Sequence, residues 1–131
     1  MNGIGKIGWI DLACENAVEV RDFYAQVAGW THTPVPVGDY EDFTVHANGE
    51  AQPIAGICHQ RGDNASLPSQ WLIYIQVADL QQSVQSCTEM GGQVICPVRD
   101  LGSYGKMCVI KDPAGAVAAL IQSSESATQS D

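Results

Sequence analysis

Apolar and polar residues alternate from the start of the folded chain. In Ile7-Gly-Trp-Ile-Asp-Leu-Ala-Cys14, an extended backbone puts Ile10, Leu12 and Cys14 on one side and Trp9, Asp11 and Ala13 on the other, the pattern of a half-buried strand. The period then lengthens. Val20, Phe23, Tyr24 and Val27 recur at three- and four-residue spacing, which predicts an amphipathic helix between Val18 and Val27. Asn16 stands where it can cap the start of that helix, and Gly29 where it can end it.

The same order of features returns in the second half. Trp71-Leu-Ile-Tyr-Ile-Gln-Val77 is rich in strand formers, and Asp79 occupies the capping place that Asn16 held. Leu80, Val84, Cys87 and Met90 form the second helical stripe, which Gly91-Gly92 closes. Each helix is followed by short strand-like runs: Trp30–Pro34, Phe43–His46 and Pro53–Cys58 after the first, Gln93–Cys96, Lys106–Ile110 and Ala116–Ile121 after the second. Asp112-Pro-Ala-Gly115 supplies a tight turn between the last two.

These features predict an α+β fold made of two tandem βαβββ modules within one domain, residues 1–121. Module one covers 7–59, a polar linker 60–70, and module two 71–121. Neither module is large enough to bury its own sheet face, so two curved mixed sheets enclosing a cleft are expected. Residues 122–131, rich in Ser and Gln and without apolar periodicity, are expected to form a disordered tail.

Composition narrows the partners. The 131 residues carry 15 Asp plus Glu against 6 Lys plus Arg, a formal charge of −9, which repels phosphate backbones and anionic membranes. No apolar run is long enough to span a bilayer, and no basic and apolar leader opens the chain, so a cytoplasmic protein is expected. The 5 cysteines are widely spaced and contain no C-x-x-C pair, which fits structural free thiols in a reducing compartment.

The motifs Trp-Ile-Asp-Leu at 9–12, Asp22-Phe-Tyr24, Ala28-Gly-Trp30, Gln76-Val-Ala-Asp79, Met90-Gly-Gly92 and Asp112-Pro-Ala-Gly115 together span most of residues 7–121. In this order the chain resembles the vicinal oxygen chelate superfamily, which holds glyoxalase I, bleomycin-resistance proteins and extradiol dioxygenases. It is most similar to a poorly characterised bacterial glyoxalase-like branch. The resemblance implies a divalent metal in the cleft, held by His, Gln or Glu on the opening and closing strands of the two modules. Here those places hold Trp9, Leu72 and Ala119, and the closing strand of module one runs through Ile54, Ala55, Gly56 and Ile57. None of these side chains is a ligand, so no metal and no other cofactor is expected.

By alternation Trp9, Asp11 and Ala13 share the cleft face with Leu72, Tyr74, Gln76, Val117, Ala119 and Ile121. That apolar lining with one carboxylate, one phenol and one amide suits a small organic ligand. Trp9, Trp71, Leu72, Gln76, Ala119 and the loop residue Tyr104 are the expected ligand contacts. Asp11 and Tyr74 are the candidate proton-transfer pair, with an internally hydrogen-bonded Asp11 as the structural alternative. The expected function is a metal-free small-molecule-binding protein. The alternative is a lyase or isomerase, either metal-free through Asp11 and Tyr74 or with a metal site rebuilt around His46 or His59. Exposed sheet edges leave a homodimer open.

Overall fold

Ile7–Cys14 forms strand β1 in the computed structural model, which describes residues 3–124, and its burial deepens along the strand until Leu12, Ala13 and Cys14 are all buried. The chain divides into two compact units. The first is Trp9–Trp71; the second joins residues 3–8 to 72–124.

In the first unit β1 leads into helix α1 (Ala17–Ala28) and then into β2 (Thr31–Val37), β3 (Tyr40–His46) and β4 (Pro53–His59). The strands lie in the order β2-β3-β4-β1. The two hairpin pairs are antiparallel, whereas β1 runs parallel to β4 with Asp11 opposite Gly56. The parallel pair needs a long crossover, and α1 with the β2–β3 hairpin provides it. Leu12, Cys14, Ala17, Phe43, Val45, Ala55 and Ile57 form the buried core, with Ile10, Val20, Tyr24, Trp30 and Trp71 packed around it. Ile10, Leu12 and Cys14 are therefore the inward face of β1, as the period of two requires.

The second unit repeats the arrangement. β5 (Trp71–Gln76) and helix α2 (Leu80–Glu89) are followed by β6 (Gln93–Asp100), β7 (Lys106–Lys111) and β8 (Val117–Gln122), in the order β5-β8-β7-β6. β5 is parallel to β8 and the other pairs are antiparallel. Leu80, Cys108 and Leu120 centre the core beneath α2, with Ile75, Val77, Val84 and Ile110 around them. Residues 3–8 join this unit through Gly5 N–H to the Gln76 carbonyl (2.7 Å) and Gln76 N–H to the Lys6 carbonyl (2.9 Å). The two-module α+β reading of the sequence is thus the observed element order.

Several local expectations change. Val20 and Tyr24 pack inward on α1, but Phe23 and Val27 are 55% and 65% exposed. They lie on the flank of the stripe, where the 100° step per residue has carried them off the sheet-facing line. Met90 is not part of the second stripe; it follows the last helical turn and is exposed. β6 runs on from Cys96 to Asp100, and its pairing with β7 slips between Cys96 and Arg99, where Pro97 has no N–H to give the ladder.

The segment 60–70 forms one 3-10 turn at Gly62–Asn64 and buries Leu67, whose carbonyl accepts from Gln60 Nε2 at 2.7 Å. Of the expected tail, Gln122 ends β8 and accepts from Leu80 N–H at 2.8 Å; residues 125–131 lie outside the described residues.

The two helix starts also differ. Asp79 caps α2 by accepting from Gln82 N–H at 3.1 Å. Asn16 occupies the corresponding place before α1 without accepting a helix N–H; its Nδ2 donates instead to Glu19 Oε1 at 3.0 Å. Asp79→Ala is accordingly expected to cost about 1 kcal/mol in urea unfolding, and Asn16→Ala only a few tenths. Equal losses would contradict this difference.

Candidate functional site

The face of β1 turned away from α1 carries Trp9, Asp11 and Ala13. Trp9 Nε1–H donates to Asp11 Oδ1 at 2.6 Å, so neighbours on one strand face fix each other. This charge-assisted bond holds the indole and the carboxylate in one geometry. Gly56, opposite Asp11 in the parallel register, supplies the space, because a Cβ there would meet Asp11 Oδ1 directly. The internal hydrogen bond allowed for Asp11 in the sequence is therefore present, with Trp9 as donor.

The other predicted residues are placed as follows. Trp71 packs on the core beneath α1, where its Nε1–H donates to the Tyr24 hydroxyl at 3.2 Å. Its ring stands edge-on to Trp30 at 5.6 Å, and Tyr24 stacks on Trp30 at 5.2 Å. In the second unit Tyr74 and Ala119 are register partners and Ala119 pairs with Val109, so the three lie side by side across β5, β8 and β7. Leu72 is 2% exposed, Tyr74 6% and Ala119 0%. Gln76 is half-buried and donates from Nε2 to Ser123 Oγ at 3.1 Å. Tyr104, in the 3-10 turn Gly102–Tyr104, is 75% exposed.

A metal of the kind the resemblance implies does not fit these residues. Trp9, Leu72, Ala119 and the stretch 54–57 offer no ligating side chain. Among the described residues no three His, Cys, Asp or Glu side chains are grouped so as to hold an ion. The cysteines are free, and Cys14 and Cys108 are buried. Burial pushes the Cys14 thiol up; burial, reinforced by Cys87 and Cys96, pushes Cys108 up to about 11, which keeps that thiol protonated and poorly nucleophilic.

One constellation had no place in the expected site. Asp42, 8% exposed, accepts at Oδ1 from His59 N–H (2.8 Å) and from His59 Nδ1 (3.2 Å). The His59 ring is edge-on to Tyr40 at 5.3 Å, and its centroid is 6.3 Å from that of Phe43. An Asp inside the otherwise apolar run Asp42-Phe-Thr-Val45 was the available signal, because a carboxylate closed to solvent needs a donor. His59 lines an open pocket of about 570 Å³ with Glu15, Asn16, Ala17, Val18, Glu19 and Asp22. No helix among the described residues is long and apolar enough to cross a membrane.

Comparison with known proteins follows the same lines. A family model described as glyoxalase-like domain matches residues 9–121. Among curated relatives, a Mycobacterium tuberculosis protein whose name marks it as a provisional glyoxylase, CFP32, is 35% identical over 121 residues, covering 90% of this chain and 46% of its own length. The anthracycline biosynthesis protein DnrV of Streptomyces peucetius is 27% identical, covering 88% of this chain and 46% of its own. The chain thus spans about half the length of the curated relatives it matches.

Among solved structures, a variant of Streptomyces coelicolor methylmalonyl-CoA epimerase in complex with 2-nitronate-propionyl-CoA aligns with a TM-score of 0.57 at 14% identity, covering 92% of this chain and 96% of that one. Methylmalonyl-CoA epimerase from Mycobacterium tuberculosis aligns with a TM-score of 0.56 at 13% identity, covering 99% and 96%. At such identities the likeness is one of fold.

Proposed function

Because this chain belongs to the glyoxalase-like domain family, we propose that it is a small-molecule-binding member that works without the superfamily's metal, its organic ligand meeting the Trp9–Asp11 pair. The observation that carries this reading is the 2.6 Å bond between the Trp9 indole and the Asp11 carboxylate. A binding group whose direction is set before the ligand arrives spares the cost of ordering it on association. Gly56 keeps the carboxylate in place, and the places where ligating side chains are expected carry indole, isobutyl and methyl groups instead. An intracellular setting and a homodimer belong to the same proposal; free cysteines and the acidic charge support the first.

The enzyme reading, a lyase or isomerase with Asp11 and Tyr74 in proton transfer, is favoured by the glyoxylase name of the 35% identical relative. A thermal-shift screen of small organic compounds, followed by titration of the hits, separates the two readings. Under the binding reading, Asp11→Asn and Trp9→Phe each weaken a hit by about tenfold, the worth of one charge-assisted hydrogen bond. Native mass spectrometry of the protein as purified should return bare polypeptide. A retained stoichiometric divalent ion, or hits indifferent to both substitutions, overturns the proposal. Turnover of a hit that Asp11→Asn abolishes while binding survives establishes the enzyme reading instead.

A further inference from the structure

We propose that the first unit carries a second ligand site, independent of the Trp9–Asp11 pair, in the pocket at the start of α1. There His59, locked in one tautomer by Asp42, offers Nε2 as acceptor to a small alkylammonium compound. Alternation along β4 separates the two places. Ala55 and Ile57 belong to the core beneath α1, and His59 continues that side, whereas Gly56 lies under Asp11 on the opposite face.

The chemistry follows from the Asp42 contact. The Asp42 carboxylate accepts, and its Oδ1 takes the His59 backbone N–H and faces His59 Nδ1, so Nδ1 is the nitrogen that carries the proton. In the neutral ring the lone pair is then on Nε2. Nε2 takes part in none of the hydrogen bonds of His59 and is not among the buried unpaired polar atoms, so it reaches solvent at a residue that lines the pocket. Tyr40 and Phe43 hold the ring from its other sides, and binding does not have to order it.

The corresponding place in the second unit, a pocket of about 580 Å³ at the start of α2, uses its polar side chain differently. There Gln122, at the end of β8, spends its side chain on Leu80 N–H. His59, at the end of β4, is instead held by a buried carboxylate and directs a nitrogen outward.

The ligand class follows from charge. Glu15, Glu19 and Asp22 line the same pocket; Arg21 is engaged with Asp22 at 2.8 Å and lies over the Phe43 ring, and Arg61 lies over the Tyr40 ring and pairs with Asp39 at 3.6 Å. With Asp22 paired to Arg21, the carboxylates of Glu15 and Glu19 still outweigh the roughly half positive charge of a helix start. An anion is repelled, whereas an ammonium group donates to Nε2 and faces the carboxylates while its alkyl part lies along Ala17 and Val18.

The test uses the whole chain labelled with 15N. Long-range 1H–15N correlation at mildly alkaline pH reports the tautomer of each imidazole, and His59→Gln, or subtraction of His32→Gln and His46→Gln, assigns the signals. The expected result is an Nδ1–H tautomer for His59 and a saturable shift of its Nε2 on titration with putrescine. That shift should be absent with sodium acetate or with sodium chloride at matched ionic strength. Asp42→Asn, checked for folding by circular dichroism, should weaken the putrescine response by about tenfold. An Nε2–H tautomer in the wild-type protein overturns the proposal. So does a putrescine response that fails to saturate or that His32 and His46 share, and so does saturation by acetate instead. Because the readout is His59 itself, its failure leaves the Trp9–Asp11 proposal standing, and the converse holds.

Discussion

Gly105→Ala is expected to destabilise the protein by about 3 kcal/mol, with a fall in Tm of about 10 °C or more. Gly105 is buried between the 3-10 turn at Gly102–Tyr104 and β7, with φ 109 and ψ −143, a conformation that residues with a Cβ rarely adopt. Strain is only part of the cost. A Cβ at this position would lie on the Gln122 carbonyl oxygen, 2.7 Å from Ser123 Cα and 2.9 Å from Ser124 N. These are backbone atoms, which cannot swing aside as a side-chain tip can. Moving them also pulls on Gln122, whose amide oxygen holds Leu80 N–H at the start of α2. Gly102→Ala is the control. Its φ is also positive, at 66, but nothing stands within 4 Å, so it should cost only about 1 kcal/mol. Urea unfolding of the two variants compares strain alone with strain plus collision, and equal losses would refute the backbone contact.

Gly56→Ala is the second large effect and bears on the proposed ligand face. The backbone there needs no special conformation, so removing chain entropy from the unfolded state would ordinarily make Ala neutral or slightly stabilising. Here the new methyl would occupy the place of the Asp11 carboxylate. The carboxylate must leave, and a half-buried charge loses its hydrogen bond from Trp9. The expected loss is about 2 to 3 kcal/mol. A double-mutant cycle isolates the cause, because in an Asp11→Ala background the methyl has room and the same substitution should cost close to nothing. Loss of similar size in both backgrounds would place the cost elsewhere.

The sequence was legible where a pattern reports a local condition. Ile10, Leu12 and Cys14 alternate because one side of β1 packs on the core with α1, and Asp79 and Gly29 sit at helix ends because short-range geometry selects them. It was less legible where a residue's meaning depends on a distant neighbour. Trp71 stands on the side of β5 opposite Leu72, Tyr74 and Gln76, and its packing against Tyr24 and Trp30 joins residues that no local pattern relates. Phe23 and Val27 satisfy helical spacing and still face solvent, since spacing gives the stripe and not its width. His59 and Asp42 stand on neighbouring strands well apart in the chain, and no period relates them. Gly56 looked like a gap among ligand positions; only the parallel register showed that its missing side chain is what Asp11 needs.

The parallel pairing of first and last strand within each unit also orders events during synthesis. Within the unit Trp9–Trp71, β1 is made before its parallel partner β4, so the unit closes late, by a long-range contact that the hairpins alone do not supply. Gly5 and Lys6 wait longer still, because the backbone they bond is that of Gln76. A nascent chain that has already completed its first unit therefore still lacks the bonds of Gly5 and Lys6 to Gln76 until β5 emerges, and β5 in turn waits for β8.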